Sequence, residues 1–257
     1  EVLLEHWARR GARATLDALI GMFAIAMWDR RERTLTLVRD RFGRKPLYYH
    51  AAEGLFVFGS ELRALRAAGG WTPAIDRDAA AAFLRFSYVP APQSIYAGVS
   101  KLEPGCMLTR AADGLVTLER YWDFLDRAAA RVADPVDMSD AEAEEALDQL
   151  LRDAVRRRMV ADVPLGAFLS GGIDSSTVVA AMQAQSDRPI RTFTIGFDVD
   201  GYDESAHAAA EPTIPNSASR RRTRRPARPG WPRCSTNPSP IRRKSRPISS
   251  VRWRASM

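Results

Sequence analysis

Cysteine is nearly absent, with Cys106 and Cys234 the only two in 257 residues. Two thiols build no disulfide framework, which suits a reducing cytoplasm. Long apolar runs are missing too. The longest, Ala18 to Trp28, has 11 residues, whereas a spanning helix needs ~18 or more, so no membrane span is expected. No positively charged, apolar signal segment is read at the opening. Acid is almost missing from one stretch: residues 211–257 carry 12 Arg and 1 Lys against the single Glu211. Residues 1–210 hold 25 Lys and Arg against 30 Asp and Glu, so the formal charge of +7 belongs wholly to the tail. That tail also holds 8 of the 16 prolines and 8 serines, with neither helical nor strand periodicity. Proline at this density removes backbone donors and blocks helices, so 211–257 is expected to be a disordered basic tail.

The remainder is rich enough in apolar residues for a packed core, and the length suits one large or two small domains. Val2, Leu3, Leu4 and Trp7 share a helical face at the very start, so the sequence is expected to open inside an amphipathic helix. Gly21 to Asp29 has the look of a strand buried on both faces. After a charged turn, Thr34 to Val38 completes a hairpin. Arg39-Asp40 and Lys45 belong to a loop punctuated by Gly43 and Pro46, and are read as a structural turn. Leu47–Tyr49 and Leu55–Phe58 predict two more short strands. Helices follow over Glu61–Ala68 and Arg77–Phe86, the second with Asp76 as N-cap. Composition changes at 126–138, read as a linker. Ser139 and Glu142 form a capping box for a helix over 140–159, with Leu147, Leu150, Leu151, Ala154 and Val155 as its apolar face. Leu165–Leu169 is a short buried strand, Thr177–Met182 a helix and Arg191–Phe197 the next strand. Strand, loop, helix and strand make a parallel β/α unit.

The loop in that unit is Ser170-Gly171-Gly172-Ile173-Asp174-Ser175-Ser176. Adjacent glycines let a backbone approach a ligand closely. The loop opens a helix, whose first N–H groups are unpaired. Three serines add hydroxyl donors. A carboxylate such as Asp174 beside polyphosphate reaches it through Mg²⁺. The Walker pattern needs a lysine that is absent here, and no Rossmann GxGxxG occurs. The plainer alternative is a tight strand-to-helix turn that the acid and serines merely cap.

SGGIDSS after an apolar strand resembles the pyrophosphate loop of the N-type ATP pyrophosphatases. With Asp162–Leu169 ahead of it, DVPLGAFLSGGIDSS resembles the glutamine-hydrolysing asparagine synthetase family. GMFAIAMWDRRERTLTLVRDRFGRKPLYYH at 21–50, FGSELRAL at 58–65 and Lys101-Leu102-Glu103-Pro104-Gly105 agree, in the family's order. The resemblance covers 1–210. It implies an α/β chain: a partial N-terminal-nucleophile glutaminase sandwich (αββα) over 1–125, the linker over 126–138, and over 139–210 part of an α/β ATP-pyrophosphatase domain with a parallel sheet, adenine nucleotide α-hydrolase-like. The implied chemistry is release of ammonia from glutamine and adenylation of aspartate with ATP and Mg²⁺, the ammonia then displacing AMP. Carried over by position, Ser170, Gly171, Gly172, Ile173, Asp174, Ser175 and Ser176 bind pyrophosphate, with Asp174 on Mg²⁺. Leu169 and Ile195 match apolar positions lining the adenine pocket, although by themselves they read as core. Glutamine, aspartate and ATP are the implied small-molecule partners. Neither nucleic acid nor membrane is expected, and the oligomeric state is open.

Departures are equally patterned. The family's nucleophile is a cysteine at the mature N-terminus. Cys106 follows Pro-Gly mid-chain and reads as a small buried residue, and Cys234 lies in the tail. The chain is therefore expected to be a catalytically incomplete fragment beginning inside the first domain. Beyond Tyr202-Asp203-Glu204-Ser205 the family's later segments are missing. Read from the third base of each codon, Thr213 to Ser217 permits His-Thr-Glu-Leu, and Thr236 to Pro247 permits Glu-Pro-Phe-Ala-Asp-Ser-Ser-Gln-Ile-Pro-Thr. A frameshifted translation after about residue 210 explains both. The competing reading, a nucleic-acid-binding arm, has no binding fold or aromatic platform in the tail. A related amidotransferase acting on another carboxylate and a non-catalytic remnant stay open as alternatives.

Overall fold

The computed structural model describes residues 1–196, 218–223 and 250–253. The chain divides into two compact units, Glu1–Pro135 with Ile241–Met257, and Val136–Pro240. The first unit runs α1 (Val2–Ala18), β1 (Ala24–Asp29), β2 (Thr34–Arg39), β3 (Tyr48–Ala52), β4 (Leu55–Gly59), α2 (Leu62–Ala68), α3 (Arg77–Phe86), β5 (Val99–Lys101), β6 (Cys106–Arg110), β7 (Val116–Arg120) and α4 (Phe124–Ala133). One antiparallel sheet has the order β1-β2-β6-β7, and β4, β3 and β5 form a second.

The period-2 alternation of these strands builds the layers. Leu35 and Leu37 of β2, Cys106 and Leu108 of β6, and Phe56 and Phe58 of β4 form one core cluster between the sheets. The opposite faces of the same strands point outward to helices. Val38 and Met107 join Leu16 and Trp7 of α1 in a second cluster. Leu55 and Val57 join Leu62 and Leu65 of α2 in a third. Helix, sheet, sheet and helix are the four layers of the expected αββα sandwich.

The loop after β2 is saturated with internal bonds. Asp40, 1% exposed, accepts the backbone N–H groups of Phe23, Phe42, Arg44 and Lys45. Arg39 donates to the carbonyls of Leu102, Gly43 and Lys45, and Tyr121 donates its hydroxyl to Arg39 O at 2.8 Å. The structural-turn reading of Arg39-Asp40 and Lys45 holds, with Asp40 at its centre. Gly105 is required here: its φ is +66°, and a Cβ would stand 2.1 Å from the Trp122 carbonyl oxygen.

Three expectations change. Val2 and Leu4 are exposed, and α1 packs through Trp7 and Leu16 instead, one on either side of Gly11, whose φ of +78° breaks the helix. Residues 126–133, assigned to the linker, lie in α4, which Asp123 caps by accepting from Leu125 and Asp126 N–H. Its capping signal and its apolar spacing, Phe124, Leu125, Ala128 and Val132, were both legible, although α4 buries no residue. Ala24, not Gly21, starts β1.

The second unit contains α5 (Asp140–Arg158), β8 (Gly166–Phe168), α6 (Ile173–Gln183) and β9 (Arg191–Gly196). Ser139 and Glu142 form the capping box as read. β8 and β9 pair in parallel, with Phe168 opposite Phe193. Val155, Leu169, Val179, Ala181, Met182 and Ile190 form the core on one face of this sheet. The apolar face expected for α5 is divided: Leu151 and Val155 join this core, whereas Leu147 and Leu150 are exposed.

Two stretches of the tail are strands. β10 (Ala218–Thr223) lies parallel to β9, and β11 (Ser250–Trp253) antiparallel to β4. Both sit on open sheet edges, where backbone groups alone make the ladder and no side-chain pattern is needed. The rest of 211–257, Cys234 included, lies outside the described residues.

Candidate functional site

The loop is positioned by the strand ahead of it. Leu169 is 3% exposed and packs in the core with Val155 and Val179. Its N–H donates to Phe193 O at 3.0 Å, and its carbonyl accepts the Thr194 hydroxyl at 2.8 Å. These two bonds tie the end of β8 to β9 just where the chain leaves the sheet.

Gly171 then takes φ +81°, a left-handed value that glycine adopts without strain. Gly172 is the N-cap of α6 in extended conformation and has no side chain to cap with. Ser175 and Ser170 close the loop instead. Ser175 Oγ donates to Gly172 O at 3.0 Å and accepts from Ser170 N. Ser170 Oγ lies 3.0 Å from Ser175 Oγ and accepts the Gly172 N–H. The first helical backbone bond runs from Ser176 N to Gly172 O. The N–H groups of Ile173, Asp174 and Ser175 therefore have no acceptor among the described residues.

Three donors at a helix N-terminus, with the dipole behind them, are an arrangement that favours an anion. Asp174 is exposed in the first turn. No cluster of three or more His, Cys, Asp or Glu occurs among the described residues. A lone exposed carboxylate fits Mg²⁺, which takes most of its ligands from phosphates and water. Ser176 differs from the other serines, since its Oγ is buried with no hydrogen-bond partner.

Of the sequence-assigned residues, Ser170 to Ser176 are brought into one turn. Leu169 is adjacent, but its side chain belongs to the core. Ile195 lies on β9, and its side chain is outside the described residues. Thr194 was missed, although it locks the β8 end. Thr192 and Thr194 alternate on the buried face of β9, and that threonine pair in an apolar strand was the available signal.

Cys106 is 6% exposed, and burial pushes its thiol up from its ordinary value. A buried, protonated thiol is a poor nucleophile, consistent with the reading of Cys106 as a packed core residue.

Structure and sequence together define the class: a partial N-terminal-nucleophile glutaminase sandwich followed by a partial α/β ATP-pyrophosphatase domain. Residues 1–122 match the glutamine amidotransferase domain family, and residues 146–211 match the asparagine synthase family. Asparagine synthetase (glutamine-hydrolyzing) 1 of Bacillus subtilis (strain 168) is 35% identical over 205 residues, 79% of this chain and 31% of that protein. The putative asparagine synthetase (glutamine-hydrolyzing) of Mycobacterium tuberculosis (strain ATCC 25618 / H37Rv) is 37% identical over 210 residues, 80% of this chain and 31% of that protein. Amidase chyE of Penicillium rubens is 32% identical over 216 residues, 75% of this chain and 30% of that protein. The chain belongs to the glutamine-hydrolysing asparagine synthetase family. It spans about a third of the length of these relatives.

Proposed function

We propose that this chain is part of an ATP-dependent amidoligase that transfers glutamine-derived nitrogen to a carboxylate, aspartate being the default acceptor. The observation that supports it is the uncapped start of α6, where Ile173, Asp174 and Ser175 leave three N–H groups without an acceptor beside Gly171 in left-handed conformation. In this reading those N–H groups, with Ser170, Gly171, Gly172 and Ser176, hold the pyrophosphate portion of ATP. Asp174 anchors Mg²⁺, which when bound neutralises phosphate charge. Leu169 and Ile195 are assigned to the adenine side on family resemblance alone.

The glutaminase half contributes scaffold without a thiol nucleophile, because Cys106 is buried and its thiol is held protonated. The 257-residue polypeptide is therefore inactive toward glutamine in this proposal. Domain limits at 125 and 139, a cytoplasmic setting and the absence of nucleic-acid and membrane partners belong to the same proposal. So does a shifted reading frame beyond about 210. The asparagine synthase match ends at residue 211, where the composition turns basic. An uninterrupted frame at the locus, continuing as this tail in independent clones, would end that part of the proposal.

A second reading is a related amidotransferase acting on another carboxylate; not every relative is named an asparagine synthetase, one being named an amidase. Titration calorimetry on the purified chain tests the shared core of both. ATP and inorganic pyrophosphate with Mg²⁺ should bind, and AMP, lacking the pyrophosphate, should not. Equal binding of AMP and ATP would remove the pyrophosphate loop from the account.

A further inference from the structure

α5 carries two apolar stripes, and only one is covered. Leu151 and Val155 face the core of the second unit. The other stripe is Ala143, Leu147, Leu150 and Ala154, all exposed, with Leu147 66% and Leu150 70% accessible. Helical geometry sets these four within about 30° of one line along the helix. Their spacing is a palindrome, reading the same from either end about a point between Asp148 and Gln149.

The charge pattern has a direction. Before that point α5 carries only acids, from Asp140 to Asp148. After it come Arg152, Arg156, Arg157 and Arg158 with the single acid Asp153. Parallel alignment with a second α5 would set acid on acid and base on base. Antiparallel alignment sets each acidic half on a basic half, at the register where the two palindromic stripes coincide.

We propose that this stripe docks a second copy of the chain, α5 against α5 in antiparallel orientation, about a two-fold axis at the stripe's centre. Such a contact is isologous, the same patch being used twice. Leu147 meets the partner's Leu150 and Ala143 the partner's Ala154. Asp140 and Arg157, which flank the stripe, meet across the axis twice per dimer, Arg157 exchanging its exposed pair with Asp153 for the partner's Asp140. Four apolar residues a side form a small interface, so association is weak and depends on concentration. The charge term makes it weaker in high salt.

Sedimentation velocity on the full chain, over about a hundredfold range of concentration, tests this. The weight-average mass should rise from monomer toward dimer, and less so in added salt. Leu147→Asp/Leu150→Asp should weaken association by about tenfold or more. Both side chains are exposed in the single chain, so helix content by circular dichroism should stay unchanged. Orientation is read by crosslinking in a Cys234→Ser background. Ala143→Cys mixed with Ala154→Cys should form the disulfide-linked heterodimer under mild oxidation. Ala143→Cys alone should not, because its two copies would lie about 16 Å apart along the helices. A monomer at every concentration, a dimer indifferent to the leucine substitutions, or equally efficient self-crosslinking of Ala143→Cys would each overturn the proposal.

Discussion

The two units treat their backbones and apolar faces differently. In the first, strands β2, β4 and β6 bury both faces, one against the facing sheet and one against a helix. Its tightest loop is closed by Asp40 and Arg39, whose bonds run almost wholly to backbone groups. In the second, β8 and β9 bury one face only. Phe168 is 75% and Phe193 41% exposed, three helix-start N–H groups lack acceptors among the described residues, and Ser176 Oγ is buried without a partner. Polar groups saturated internally make a scaffold, whereas unmet donors on a fixed turn make a place for a ligand. The contrast puts internally saturated polar groups in one unit and unmet donors in the other.

The sharpest way to break that comparison is to truncate one aromatic in each unit. Phe56→Ala, in the core between the sheets, should cost about 3–5 kcal/mol by denaturant unfolding. Phe168→Ala should cost about 0.5 kcal/mol or less. Similar losses would mean that the exposed face of β8 is covered in solution. Next in size is the loop after β2. Asp40→Ala leaves four backbone N–H groups of a buried turn without their acceptor, and should cost about 2–4 kcal/mol. A neutral result would show that water replaces the carboxylate freely.

A third prediction concerns the thiol. Cys106 should resist alkylation in the folded chain and react once unfolded, and added glutamine should release no ammonia above a heat-killed control. Ammonia release blocked by a thiol-directed glutamine analogue would contradict the assignment of Cys106 as packing.

The smallest effects are in pH. The carboxylates of Asp29, held by Glu32 and Arg31 N–H, Glu142, held by Ser139, and Asp153, held by Arg157 and Arg156, all titrate below their ordinary values. Each binds fewer protons folded than unfolded across that window. Their contribution is thus present above the ordinary carboxylate range and lost as pH falls through the lowered values. Tyr121 has the opposite sign: burial pushes its hydroxyl up to about 12. Its contribution is intact below the ordinary tyrosine value of about 10, and is lost as pH rises from there through about 12. Thermal midpoints should be flat through neutrality and decline at both ends. A steady slope from pH 5 to 9 would point to titrating groups that these residues do not include.

Much of the fold was legible because its signals are local. Asp76 caps its helix by accepting the second and third N–H groups, and Ser139 caps its own by accepting the third. The unbroken apolar run LFVF at 55–58 allows burial on both faces, and β4 uses it so. The loop glycines and serines were legible as a tight strand-to-helix turn because Gly171 must adopt a conformation few other residues accept. What stayed hidden depends on long-range contacts. No local pattern says that α5 divides its leucines between core and solvent, or that Thr194 reaches 25 residues back to the Leu169 carbonyl. Edge pairing by 218–223 and 250–253 was illegible for a related reason: it uses backbone groups, which every sequence has.

In the proposed reading the turn from Ser170 to Ser176 holds the pyrophosphate of a magnesium nucleotide. Calorimetric titration of ATP with and without Mg²⁺ decides this on three proteins: the parent chain, Asp174→Ala and Asp187→Ala. Asp187 is an exposed acid of the same unit, just beyond α6. The parent and Asp187→Ala should bind more tightly with Mg²⁺ than without it, and Asp174→Ala should lose that gain while its backbone donors keep a weak, metal-independent affinity. Equal effects of the two substitutions, or no binding by the parent chain, would contradict the assignment.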